Sequence, residues 1–173
     1  MDLWNKGNAG RTKWNGFVWT IDCVDNRTGR LVWSEKAHND LLNQGERSII
    51  MSYFRAEEVP AQFYIRLAQD SISLTDTLAD IQREPVGNGY VPALLARSAL
   101  GWPTVAQDSG DWVITSQQVQ FTAAGGQIGP CNVAFLASTA DNTGVLISCV
   151  PFDITRTIND GQTGLVTLST RLK

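Results

Sequence analysis

The last third of the chain consists of short apolar-rich segments separated by turn residues. The segments are residues 111–115, 118–122, 131–137, 144–150, 152–158 and 165–172. The turns lie at 124–126, 141–144 and 159–161 and are rich in glycine, asparagine and aspartate. Because β-branched residues favour strands and these small polar residues favour turns, the pattern predicts a mainly β fold, either a jelly-roll-like antiparallel sandwich or a barrel. In the last segment Val166 and Leu168 alternate with Thr167 and Ser169, which predicts one packed face and one solvated face.

A hairpin is predicted near the start of the chain, over residues 14–33. Phe17, Trp19, Ile21 and Cys23 alternate with more polar residues and would share one face of its first strand. The connecting residues 25–29 are rich in turn formers.

One α-helix is predicted over residues 40–55, with Asn39 or Asp40 as its N-terminal cap. The residues at helical spacing are Leu41, Leu42, Gly45, Ile49, Tyr53 and Phe54. They would form the buried stripe. A glycine inside a helix costs about 1 kcal/mol relative to alanine, so Gly45 predicts a close approach of the helix to a neighbour, such as the sheet.

The middle of the chain is less regular. Residues 62–68 read as a strand, and Thr75 or Asp76 would cap a helical turn at 78–81. Pro92 confines the strand at 91–97 to a sheet edge or a strand start, because proline has no N–H to donate. Residues 101–111 read as a loop.

Length and composition favour one full-size domain with a short extension. The chain has 173 residues, 43% of them hydrophobic, and a formal net charge of −3. Residues 1–13 are small and polar, which predicts an N-terminal arm followed by a single domain over 14–173. The acidic balance argues against a general nucleic-acid binder. No signal peptide or membrane-spanning stretch is evident, so we expect folding in a reducing cytoplasm, with Cys23, Cys131 and Cys149 as buried thiols.

No catalytic constellation is evident in the sequence. His38 is the single histidine, and no Gly-x-Ser-x-Gly motif accompanies it. Scattered cysteines do not match a zinc site, and the acidic loops do not match a calcium-binding pattern. Two carboxylate pairs, Glu57 with Glu58 and Asp80 with Glu84, are the candidates for sugar hydrolysis, but neighbours on one loop seldom face each other as that reaction needs. We therefore expect a non-enzymatic protein without a metal or cofactor.

The aromatic residues suggest binding instead. Trp4 lies in the arm and would either fold back on the core or insert into a partner, since aromatic residues dominate interface hot spots. Trp4, Arg11 and Trp14 are the candidate partner-binding residues. The six tryptophans of the chain could also form a platform for sugars, although core and interface burial is the more ordinary role.

Three groups of residues, taken in order, resemble a group of tailed-bacteriophage virion proteins. The first group is the helix start at 39–47. The second is the run 63–67, 76–81 and 84–90. The third is the C-terminal part, with Trp112 and residues 119–121, 128–130, 134–136, 144–147 and 156–162. The chain departs from the family at Ile128, where an aromatic residue is frequent, and at Val91 and Pro92, which stand where an arginine is frequent.

The resemblance implies a structural part of the virion, assembled in the host cytoplasm. A capsid decoration or cement protein that binds the major capsid protein is the first expectation. A neck, tail, baseplate or fibre-attachment component is the alternative, and a carbohydrate-binding module is the second alternative. The resemblance also implies a homo-oligomer, with a trimer favoured. The net charge of −3 and the lack of a membrane-spanning stretch predict no direct contact with nucleic acid or membrane.

Overall fold

The computed structural model describes residues 16–39 and 41–172 of the 173-residue chain. Within this part, antiparallel strands are joined by turns and short helical segments. The helical segments are the α-helix α1 (Asn43–Ile50), a π-helical turn (Met51–Arg55) and a 3-10 turn (Leu78–Asp80). The strands are β1 (Phe17–Asp25), β2 (Leu31–Asn39), β3 (Phe63–Ala68), β4 (Ala93–Leu95), β5 (Thr104–Asp108), β6 (Asp111–Thr115), β7 (Val119–Thr122), β8 (Ile128–Ala137), β9 (Leu146–Ile158) and β10 (Gln162–Leu172).

The strands form two sheets that pack face to face. Sheet A has the order β2-β1-β10-β6-β5, with β7 also paired to β10, and sheet B has the order β4-β3-β8-β9. Trp19, Val166 and Leu168 of sheet A and Ile65 and Leu136 of sheet B are at most 1% exposed and belong to one hydrophobic cluster. The predicted antiparallel sandwich is therefore confirmed, and the strands form two separate sheets rather than one closed barrel.

The central strands of sheet B, β3 and β8, are largely buried on both faces. On β8, Ala134 and Leu136 face sheet A, whereas Val133 and Phe135 join a second hydrophobic cluster on the opposite side. Residues such as Leu78, from the segment between β3 and β4, cover that second face. This double burial explains why β8 is a continuous apolar run instead of an alternating one.

The predicted N-terminal hairpin is confirmed as β1 and β2. The face formed by Phe17, Trp19, Ile21 and Cys23 is buried as expected. Asp25 closes the turn, because its Oδ1 accepts hydrogen bonds from both the backbone N–H and the hydroxyl of Thr28 at 2.7 Å.

The predicted helix is shorter than expected and differs at both ends. Asn39 belongs to β2, the helix begins at Asn43, and no side chain within the described residues caps it. After Ile50 the backbone winds as a π-helix, which adds residues to the turn and rotates the following side chains away from the expected stripe. As a result Tyr53 and Phe54 are 82% and 76% exposed, and their predicted burial was wrong.

The close approach predicted for Gly45 is confirmed. A Cβ atom at this position would lie 2.2 Å from the backbone oxygen of Ile147 in β9. The Leu42 N–H donates to the same oxygen at 3.0 Å, and Gln44 Oε1 accepts a hydrogen bond from the Leu146 N–H at 2.6 Å. The helix is thus held directly against the edge strand of sheet B.

Three further expectations are revised by the structure. Residues 104–108, predicted to lie in a loop, form β5, whose five residues are all exposed, so it lacked the apolar pattern of a buried strand. The segments 144–150 and 152–158 form the single strand β9, because Pro151 is tolerated in an edge strand with irregular pairing. Thr77, rather than Thr75 or Asp76, begins the 3-10 turn. The confinement of the segment after Pro92 to a sheet edge is confirmed by β4.

Candidate functional site

An apolar groove opens at the end of the sandwich where β1 begins. Two adjoining cavities, of about 360 and about 700 Å³, share the lining residues Phe17, Phe63, Arg97 and Trp102. We call this feature the aromatic groove. Phe17 begins β1, Phe63 begins β3 and Trp102 precedes β5, so the groove lies between the two sheets.

Trp102 is the central wall of the aromatic groove. Its ring centroid is 6.3 Å from that of Phe17 and 6.2 Å from that of Phe63, and the Phe63 ring meets it edge-on at 86°. Such tilted and edge-to-face pairs are favourable arrangements of aromatic quadrupoles. The three rings therefore support one another around a space that an apolar side chain could enter.

A tight turn fixes Trp102 in this position. The N–H groups of Gly101 and Trp102 both donate to the Ser98 carbonyl, at 3.1 and 2.9 Å. A Cβ atom on residue 101 would lie 1.9 Å from the carbonyl oxygen of Ala96, so only glycine fits. The Gln117 N–H donates to the Gly101 carbonyl at 2.7 Å and ties the turn to sheet A.

The opposite wall comes from α1 and the π-helical turn. Ile49, Ser52 and Tyr53 line the smaller cavity. Tyr53 also packs edge-on against Phe54, with ring centroids 5.0 Å apart. Because both rings are largely exposed, the wall continues outward as an aromatic pair on the surface. We call Tyr53 and Phe54 the aromatic pair.

Charged residues lie on the segments that carry the aromatic pair and on the rim of the groove. Arg55 pairs with Glu57 at 2.7 Å, and Arg47 pairs with Glu58. Arg97 is exposed on the rim of the groove. Exposed aromatic residues ringed by polar and charged ones are typical of protein interfaces, where the aromatic centre supplies most of the binding energy.

A buried polar network elsewhere in the fold has a structural role. Arg66 is 2% exposed, and it donates to Glu84 through Nε at 3.0 Å and to the Asp141 carbonyl at 2.7 Å. The Tyr90 hydroxyl donates to Glu84 Oε2 at 2.7 Å. Burial, assisted by the neighbouring Glu84 charge, raises the pKa of Tyr90 above its usual value. Every member has partners, so the network joins β3 to two loops and presents no free acid or base.

The carboxylates considered for sugar hydrolysis are likewise engaged. Asp80 accepts hydrogen bonds from the backbone N–H and the hydroxyl of Thr77, at 2.8 and 2.7 Å, and these lower the pKa of Asp80. Glu84 belongs to the buried network, and both carboxylates of the other pair bind arginines. His38 lies exposed in β2, and it does not line the aromatic groove.

The three cysteines are buried and free, as predicted. Burial raises the pKa of Cys131 to about 12 and of Cys23 and Cys149 to about 11, so the thiols are poor nucleophiles and poor metal ligands. Within residues 16–39 and 41–172, no group of three or more His, Cys, Asp or Glu side chains is arranged to hold a metal ion. No helix of the described chain is long and apolar enough to cross a membrane.

The predicted partner-binding residues Trp4, Arg11 and Trp14 lie outside the described residues. Of the other tryptophans, Trp19 is completely buried in the core and Trp112 is 55% exposed. Sequence reasoning missed the aromatic pair and Trp102. Trp102 could have been found from the sequence, because it stands between a glycine and a proline and a large apolar residue in a turn is unusual. The exposure of the aromatic pair could not, because no residue pattern indicates the π-helical turn.

Comparison with models of known protein families finds no family that this chain matches, and comparison with curated proteins finds no similar chain.

Proposed function

We propose that this chain is a non-enzymatic structural protein of a tailed-phage virion, and specifically a decoration or cement protein that binds the capsid surface. The proposal rests on the resemblance of residues 39–172 to such proteins. A position at the neck, tail, baseplate or fibre attachment is the alternative for the same kind of binding surface.

The observation that carries the proposal is the aromatic pair beside the aromatic groove. Tyr53 and Phe54 are 82% and 76% exposed, and Trp102 lies in the adjoining groove wall. Large aromatic residues left in water are unfavourable unless a partner covers them, and contiguous exposed apolar surface marks interaction sites. The rigid turn and the pinned helix hold this surface in one geometry, which lowers the entropy lost on binding.

The test is co-sedimentation of the purified protein with heads of the phage that encodes it. We expect alanine at both Tyr53 and Phe54 to weaken binding by at least about tenfold, since truncating an aromatic hot spot costs about 2 kcal/mol or more. Alanine at both Leu31 and Val32 is the matched control, because these residues are also exposed, at 60% and 47%, but lie on β2. Equal binding of both variants would contradict the proposal.

A deletion of residues 1–13 tests the predicted arm. Residues 1–13 are small and polar, so we expect the far-UV circular dichroism spectrum and the thermal midpoint to be retained. We expect the same deletion to remove head binding, because the arm carries Trp4 and Arg11. Full binding by the deleted protein would show that the arm is not part of the interface.

A carbohydrate-binding module predicts a row of exposed tryptophans. Within the described residues only Trp112 is more than half exposed, so this second alternative has no specific support there. If the proposal is correct, a panel of soluble sugars should leave the tryptophan fluorescence unchanged. Quenching by any of these sugars would favour the carbohydrate-binding module instead.

A further inference from the structure

Within residues 16–39 and 41–172, strand β5 ends sheet A and has one neighbour, β6. All five of its residues, Thr104–Asp108, are exposed. A strand in this position presents unpaired backbone N–H and C=O groups along its free side, and such an edge can accept another strand.

The hairpin register identifies which backbone groups are free. Ser109 and Gly110 have φ values of 55° and 92°, which fit a two-residue type I′ turn. In such a hairpin the flanking residues, Asp108 and Asp111, form a hydrogen-bonded pair, and pairs alternate along the ladder. Val105 and Gln107 therefore direct their N–H and C=O groups away from β6.

The strands at the other ends of the two sheet orders, β2, β4 and β9, carry features that hinder strand addition, and β5 does not. Strand β2 has the exposed Lys36, β4 has only three residues and follows Pro92, and β9 contains Pro151. Lysine, proline and short length are the usual protections of an edge. Strand β5, with the sequence TVAQD, has no lysine, proline or bulge.

We propose that two copies of this chain pair through β5, antiparallel, about a two-fold axis at Ala106. Val105 then lies opposite the partner's Gln107, and Gln107 opposite the partner's Val105. These are the residues with free backbone groups, so each of the two pairs exchanges both of its N–H···O bonds. A two-fold contact between copies requires such a self-complementary surface.

The side chains that this register places opposite each other are compatible. Asp108 lies opposite the partner's Thr104, and Ala106 opposite the partner's Ala106, so no like charges face each other. Asp108 forms an ion pair with Arg171 of its own chain. Val105, 60% exposed, would extend the apolar lining of the aromatic groove across the axis.

The pairing goes beyond the proposed function and does not depend on it. A two-fold contact at β5 differs from the three-fold contact that the resemblance implies, and both can occur in one assembly of dihedral symmetry. Failure of head binding and failure of β5 pairing are therefore separate results.

A cysteine at the axis provides the sharpest test. In this register Ala106 and the partner's Ala106 form a non-hydrogen-bonded pair with Cα atoms about 4.5 Å apart, within the range of a disulfide. We expect the full-length Ala106→Cys protein to form a disulfide-linked dimer under mild oxidation, seen on a non-reducing gel. The native cysteines are buried and should not contribute. The control is Thr104→Cys, which by itself should form no disulfide-linked dimer but should cross-link when mixed with Asp108→Cys.

A proline at Gln107 tests the hydrogen bonds. Gln107→Pro removes an N–H that points away from β6, so the hairpin should persist while dimerisation is lost. Gln107→Thr keeps the N–H and is the matched control. In sedimentation velocity, we expect the apparent mass of the native protein and of the Thr variant to double with rising concentration. We expect the apparent mass of the Pro variant not to double, because it cannot pair through β5. A native protein that does not double in mass, or an Ala106→Cys variant that cross-links no better than Thr104→Cys, would overturn the proposal.

Discussion

Alanine at Gly45 tests whether the close contact between α1 and β9 controls the stability of the groove wall. Helix propensity alone predicts that Gly45→Ala stabilises the protein by about 1 kcal/mol. The structure predicts the opposite sign. The added Cβ would lie 2.2 Å from the Ile147 oxygen, whereas ordinary contact begins at 3.4 Å, so the helix has to retreat.

The size of the effect follows from the hydrogen bonds that this retreat breaks. The Leu42 N–H to Ile147 bond of 3.0 Å and the Leu146 N–H to Gln44 bond of 2.6 Å both cross the contact. Leaving a buried partner unsatisfied costs about 1–3 kcal/mol each. After subtraction of the propensity gain of about 1 kcal/mol, we expect the free energy of unfolding to fall by about 1–5 kcal/mol.

Equilibrium unfolding in urea, followed by tryptophan fluorescence, measures this change. Glu46→Ala is the control, because Glu46 is the exposed next residue of the helix and its replacement should shift stability by no more than about 0.5 kcal/mol. If Gly45→Ala were as stable as the native protein, or more stable, the reasoning about this contact would be refuted.

Three further predictions concern the core and the groove. Glu84→Ala should lower the free energy of unfolding by about 3–5 kcal/mol in urea titrations, because it leaves the buried Arg66 charge unpaired; an effect under about 1 kcal/mol would contradict the role of the network. Gly101→Ala should shift the tryptophan emission spectrum and weaken head binding, because its Cβ would meet the Ala96 oxygen at 1.9 Å and displace Trp102. Unchanged spectra and binding would contradict the role of this turn in positioning Trp102. Burial raises the pKa of the three thiols, so the contribution of the protonated thiols to the free energy of unfolding should be fully present below about pH 9, where unfolded thiols are also protonated. This contribution should be lost as the pH rises through about 11–12. Replacing the three cysteines with alanine should flatten this part of the stability profile.

Most of the fold could be predicted because its core strands follow local rules. The face of β1 with Trp19 and Ile21 was readable from alternation, and the Gly45 contact from the cost of a glycine in a helix. Strand β5 could not be predicted, since an exposed edge strand needs no apolar residues. The division between the two sheets depends on long-range pairing, such as that of Val18 with Ser169, which local patterns do not encode.

The candidate site was less predictable than the fold. Helical spacing placed Tyr53 and Phe54 on a buried stripe, and the change from α- to π-helical winding after Ile50 turned them to solvent. The change in winding occurs where the helical segment ends, at Ala56 with a φ of 53°. The spacing of apolar residues does not predict it. The groove combines residues from β1, β3 and the turn before β5, so it exists only once the sheets have packed.

The number of copies of this chain in purified virions tests the central claim most directly. Quantitative mass spectrometry of particles of the phage that encodes it gives that number relative to the major capsid protein. For a decoration or cement protein we expect on the order of hundreds of copies, in fixed proportion to the capsid lattice. About three to twelve copies would favour a neck, baseplate or fibre position, as ring symmetries require. Absence of the chain from the particles would contradict the claim that it is a virion structural protein.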